Sequence, residues 1–156
     1  MTPLLVIGYG NELRGDDASG PCVARRVADW GRPEVDGLAV HQLTPELAAA
    51  LAGAEVVVFV DARVEDGGRE VCLRRLEAGP GTVMGHTSDP RWLLALAEAL
   101  HGRRPEAWLA TIPAADFGLG GRLSATATAG VAVALRQIDR LVHARNRELA
   151  ADADFA

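Results

Sequence analysis

Apolar residues along this chain alternate between short runs and helical stripes. Pro3–Ile7 is a short apolar run that stops at Gly8, the pattern of a strand buried on both faces. Asn11–Gly20 is rich in Gly and Asp and predicts a loop. Pro21 then suits the first turn of a helix, where its missing N–H costs nothing, and Val23, Val27 and Trp30 give that helix an apolar side. Leu38–Gln42 predicts a second strand. Thr44-Pro45-Glu46 opens a helix with a capping hydroxyl, a proline at the first position and an acid in the first turn; Leu47 and Leu51 carry it on. Val56–Val60, four valines and a phenylalanine, predicts a central strand, and Val71–Leu76 a strand near a sheet edge. Asp89-Pro90 repeats the cap-then-proline signal ahead of Trp92, Leu93, Leu96, Ala97 and Leu100 at helical spacing. Ala107–Ile112 predicts another strand. Val131, Leu135, Ile138 and Val142 mark a long C-terminal helix, and Ala150–Ala156 a frayed tail.

Strands that alternate with helices predict an α/β fold. The expected architecture is a three-layer one, with a twisted, mostly parallel sheet of about five strands flanked by helices. The 156 residues, 49% hydrophobic and 24% charged, suit one domain over residues 1–156. A net charge of -5 argues against nucleic acid or an anionic membrane as partner. Arg136, Arg140, Arg145 and Arg147 stand among acids on the C-terminal helix and read as a solvated face. Cys22 and Cys72 have no metal-ligand spacing, so buried packing is expected of both. The start of the chain lacks a basic region, and Leu4–Ile7 is too short for a signal peptide or a membrane span. The expected location is the cytoplasm.

In open α/β sheets, sites form beyond the carboxyl ends of the strands. Asp16 and Asp17 lie in the loop after the first strand, Asp61 directly follows Val56–Val60, and His86 precedes the Pro90 helix. Two carboxylates and an imidazole suit a divalent transition metal. The alternative is that Asp17 caps a helix, Asp61 sits in a turn and His86 is an exposed loop residue. Gly8-Tyr9-Gly10 follows a strand as a dinucleotide loop would, but Leu13 stands where the third glycine belongs. No acid closes Leu38–Gln42 to hold a ribose. These glycines fit better as places where the backbone turns sharply and approaches a neighbour. Ser19 and Ser124 lack a nucleophile-elbow context. Asp116 is placed to cap or line the site, His101 and His143 read as surface residues, and His41 as a strand side chain.

Ile7-Gly8-Tyr9-Gly10-Asn11-Glu12-Leu13-Arg14-Gly15-Asp16-Asp17 resembles the N-terminal signature of the [NiFe]-hydrogenase maturation proteases. Phe59-Val60-Asp61-Ala62 resembles that family's strand-ending Asp-Ala, His86 its histidine before a helix, and Trp108–Phe117 with Gly120–Ser124 its C-terminal half. The resemblance implies that Asp17, Asp61 and His86 contact nickel and that Gly8, Gly10, Asn11 and Asp16 shape the site. It implies an endopeptidase, with Asp17 and Asp61 as candidate catalytic groups, that removes the C-terminal peptide of a hydrogenase large-subunit precursor. Nickel would arrive with that substrate, and no organic cofactor is expected. The chain departs from the pattern in two places. Asp17 stands where some members have Glu, and Thr87-Ser88-Asp89-Pro90 follows His86 where many have a Leu-Gly stretch. Two other functions compete: a non-catalytic nickel-binding chaperone using the same ligands, and a nucleotide-binding domain using the Gly8 loop.

Overall fold

The fold is that of a computed structural model describing residues 1–64, 70–77 and 89–155. Five strands form one sheet: β1 (Thr2–Tyr9), β2 (Val35–Val40), β3 (Ala54–Val64), β4 (Cys72–Arg75) and β5 (Glu106–Ala114). Their order is β2-β1-β3-β5-β4, with every neighbouring pair parallel except β4 against β5. The apolar runs of β1 and β3 lie innermost, where both faces of a strand must be covered. On one face, Leu4, Val6, Val58 and Ile112 meet Val23 and Val27 of α1 (Ser19–Ala28) and Val131 and Ile138 of α4 (Ala125–Asp154). On the other, Leu5, Ile7, Val57 and Phe59 meet Leu51 of α2 (Ala48–Ala52) and Leu93 and Leu94 of α3 (Pro90–His101). The expected three-layer, mostly parallel architecture is thus the one observed.

Several details differ from the sequence expectation. β2 begins at Val35 and stops at Val40, three residues ahead of the expected strand at its start. Asp36-Gly37 lies inside the strand. The glycine is there because a Cβ would lie 2.0 Å from the Ala24 carbonyl oxygen of α1. His41 therefore follows β2 in a bend and is exposed. Thr44 makes no capping hydrogen bond, and Pro45–Leu47 is a 3-10 turn leading into the short α2. Asp89 does cap α3, accepting from the Arg91 N–H at 2.9 Å. Cys72 is exposed on the edge strand, not buried, whereas Cys22 is half-buried in α1. α4 keeps its helical form to Asp154, so residues 150–154 of the expected tail are the exposed end of this helix. No helix among the described residues is long and apolar enough to cross a membrane.

The glycines at the end of β1 act as expected. A Cβ on Gly8 would lie 1.8 Å from the Gly20 carbonyl oxygen, so β1 and the first turn of α1 touch backbone to backbone. Gly8→Ala must push α1 off the sheet, and we expect a loss of about 3 kcal/mol. Urea unfolding measures it. An unchanged midpoint would mean that α1 does not sit this close.

Candidate active site

The chain leaves β1 through α1 toward β2, then crosses back over β1 to reach β3. Loops therefore diverge above the carboxyl ends of β1 and β3, the usual place for a site in such sheets. The β1–β3 ladder ends at the Gly8–Val60 pair, while the β3–β5 ladder runs on to Val64 and Ala114. Asp61 thus lies inside β3, one residue beyond its last β1 partner, and not in a turn. Strand alternation puts it on the face of Val57 and Phe59, the side of α2 and α3. Burial lifts the Asp61 carboxyl to about 6; its hydrogen bond with Tyr9 opposes this, the Asp17 charge adds to it, and the Ala62 backbone opposes it. The Tyr9 phenol is pushed far above its ordinary range, by burial first and then by the Asp61 charge and hydrogen bond, with Asp89 adding. The start of α3 at Asp89 is therefore within electrostatic reach of the same place.

Asp17 sits in a 3-10 turn (Gly15–Ala18) between β1 and α1 and is half-buried. Its Oδ2 accepts the Asn11 N–H at 2.5 Å. Ala18, the residue before α1, has no side-chain cap, so Asp17 folds back on its own loop and does not cap the helix. Two features close that loop. Gly10 has φ +152, and a side chain there would meet the Asp17 carbonyl oxygen at 2.0 Å. The Asn11 Oδ1 accepts the Leu13 N–H at 3.0 Å, an Asx turn. Gly8 and Gly10 are thus filled from behind by the chain's own backbone, which supports the close-approach reading over a phosphate cradle.

Asp16 is fully buried and holds the site loop to the far end of the chain. Its Oδ2 accepts from the Ala115 N–H (2.8 Å), the Asp116 N–H (3.0 Å) and the Ser124 hydroxyl (2.6 Å); its Oδ1 accepts from the Ser124 N–H (2.7 Å). The Asp16 N–H donates to the Asp116 carbonyl at 2.8 Å, and the Ser19 hydroxyl to the Asp16 carbonyl at 2.7 Å. Burial raises this carboxyl, but the hydrogen bonds from Ser124, Ala115 and Asp116 outweigh it and leave it below its ordinary value. Ser124, set aside as a nucleophile, also caps α4 through the Ala127 N–H at 3.1 Å. Asp116 lines the loop through its backbone, and its exposed carboxylate accepts the Gly118 N–H at 2.7 Å.

The charge of Asp17 reaches the Asp61 carboxyl. His86 lies outside the described residues. Among the described residues no three His, Cys, Asp or Glu side chains gather as a metal site. Sequence reading missed Tyr9, whose only signal is its place at the end of β1 on the face of Ile7. It also missed the Asp16–Ser124 contact, which spans more than a hundred residues and leaves no local pattern.

No family model matches the chain, and no curated protein does. Solved structures do. The [NiFe] hydrogenase maturation protease HybD from Thermococcus kodakarensis is 27% identical, with a TM-score of 0.67 over 90% of this chain and 99% of that one. The fold is that of the [NiFe] hydrogenase maturation proteases. The hydrogenase 2 maturation peptidase of a Thaumarchaeota archaeon shares this maturation-protease fold at 22% identity and a TM-score of 0.70, covering 91% of this chain and 99% of that one. So does the hydrogenase maturating endopeptidase HybD from E. coli, at 20% and 0.65 over 88% and 90%. These last two bear on the fold alone.

Two expectations follow. Asp16→Asn replaces an acceptor with an amide that turns N–H groups toward backbone N–H groups, inside a fully buried network. A loss of about 3 to 5 kcal/mol is expected from urea unfolding at pH 7, and a loss below 1 kcal/mol would show that the network is not holding the loops. Asp61→Asn should do the reverse. The Asp61 carboxyl rises from 3.8 to about 6 on folding. The fold binds the extra proton, so wild-type stability falls as pH climbs from about 4 to 6 and is level above that, by up to ~3 kcal/mol. The stability gap in favour of Asp61→Asn should widen between pH 4 and pH 8; a gap that stays constant would refute the shift.

Proposed function

We propose that the chain is an endopeptidase that removes the C-terminal peptide from the nickel-loaded precursor of a [NiFe]-hydrogenase large subunit. The observation that carries this reading is the pair Asp17 and Asp61 at the switch point of a maturation-protease fold. A desolvated carboxyl that also feels the charge of a second acid repels further negative charge and accepts a cation. Asp61 holds its proton to about pH 6 when no cation is present. A divalent ion between the two acids favours both carboxylates at once and removes the repulsion.

In this reading Asp17, Asp61 and His86 supply three side chains toward nickel that belongs to the substrate, and the precursor supplies the rest. Nickel is then the recognition element, because buried unpaired carboxylates resist docking against a metal-free precursor. Asp17, Asp61 or a water they hold takes the proton during hydrolysis, a task suited to a carboxyl tuned toward neutral pH. The competing reading is a nickel-binding chaperone that uses the same residues and cleaves nothing.

The test offers the protein both apo and nickel-loaded precursor and follows release of the tail by mass. We expect cleavage of the loaded form, at least a hundredfold slower cleavage of the apo form, and none by Asp61→Asn. Equal cleavage of both forms would remove nickel recognition and leave a peptidase; nickel transfer without cleavage would leave the chaperone.

A further inference from the structure

Tyr9 and Asp61 stand opposite each other where the sheet parts. The β1–β3 ladder ends at the Gly8–Val60 pair, so these two are the next residues in register, just beyond the last paired ones. Both lie on the face of α2 and α3, Tyr9 beside Ile7 and Asp61 beyond Phe59. The Tyr9 hydroxyl donates to the Asp61 carboxylate across this gap. The other acid near the phenol, Asp89, already accepts the Arg91 N–H as the cap of α3. Tyr9 itself has little freedom. Its side chain is buried, its backbone pairs with Val40 of β2, and the Gly10 N–H that follows donates to the Val40 carbonyl at 3.2 Å. A Cβ on Gly20 would lie 2.7 Å from the Tyr9 carbonyl oxygen, so the first turn of α1 rests on the same stretch of backbone.

We propose that Tyr9 is a positioning residue that fixes the Asp61 carboxylate relative to Asp17. This rests on reading the chain as the processing endopeptidase. A phenol has one proton to give. It therefore engages one carboxylate oxygen and leaves the other to a cation. The second donor to Asp61, the Ala62 backbone, belongs to β3 and moves with Asp61. Tyr9 is on β1, and the loop that carries Asp17 leaves β1 directly after it. Its hydroxyl thus ties the acid of one strand to the root of the loop that holds the other acid. Outer partners of this kind set the direction of a ligating carboxylate, and their loss costs about ten- to a hundredfold in metal affinity or activity. Tyr9 touches neither the metal nor the scissile bond in this scheme; it acts through Asp61.

The experiment uses Tyr9→Phe, which keeps the ring and removes the donor, and Tyr9→4-aminophenylalanine, which returns an N–H donor to the same place. On nickel-loaded precursor, Tyr9→Phe should lower kcat/KM by about tenfold or more, and the 4-amino variant should recover to within about threefold of wild type. A ring that only fills space would not tell the two apart. A second readout needs no precursor. Urea unfolding at pH 8 follows Tyr9→Phe in wild type and in an Asp61→Ala background. The hydroxyl stabilises only while Asp61 is there to accept it, so Tyr9→Phe should lower the midpoint in the first and not in the second. Equal lowering in both would overturn the proposal by removing the contact. So would a Tyr9→Phe kcat/KM within about threefold of wild type, or a 4-amino variant no better than Tyr9→Phe. Wild type that leaves the loaded precursor uncut would refute the endopeptidase reading itself and the role of Tyr9 in it, and the unfolding comparison would still report the contact.

Discussion

The buried carboxylate of Asp16 is the constraint on which the rest of the site depends. It accepts four hydrogen bonds from residues about a hundred positions away, and no water is needed to satisfy it. A charge so placed is costly unless its partners are complete. The fold is therefore specified at this point: the loop after β5 must arrive in one geometry or leave an ion unpaired. Asp17, the next residue, inherits that precision. Its carboxylate is positioned by Asn11 on one side of the turn and by the Asp16 clamp on the other.

The second constraint comes from the sheet. β3 outlasts β1 because β5 runs beside it for three more pairs beyond Asp61, so Asp61 keeps regular strand geometry where its β1 neighbour is already missing. That is how a carboxylate comes to be both rigid and half-open. A turn residue would have been mobile and solvated, and its carboxyl would have stayed acidic.

The layers, the strand sequence and the place of the site were legible in the chain because they rest on local pattern. Val56–Val60 is short and rich in β-branched residues, which favours a buried strand, and Asp89-Pro90 supplies both a cap and a first-turn proline. Gly8 and Gly10 announced close backbone approach, and Gly20 and Asp17 supply it. What stayed hidden depends on neighbours distant in sequence. The start of β2 is not legible because Gly37 answers to α1 and not to its own strand. The exposure of Cys72 is not legible either, because alternation does not tell an edge strand's exposed face from a covered one. The same holds for Tyr9 and Ser124, whose parts in the site run through carboxylates on other elements.

Asp16 and Asp61 show why such a site cannot be read from burial alone. Both carboxylates are withdrawn from water, yet one is pulled below its ordinary value and the other is raised to about 6. The difference is the supply of donors. Asp16 has three backbone N–H groups and a hydroxyl, enough to stabilise the ion against its burial; Asp61 has the Tyr9 phenol and the Ala62 backbone, and it faces the charge of Asp17 as well. A carboxylate with its donors complete has nothing left to offer a ligand, and it serves the fold. One left short of donors is a standing cost to stability that a cation can relieve, which is the mark expected of a binding or catalytic group. Adjacent in sequence, Asp16 and Asp17 divide along the same line: the first is spent on holding two loops together, and the second is left facing Asp61.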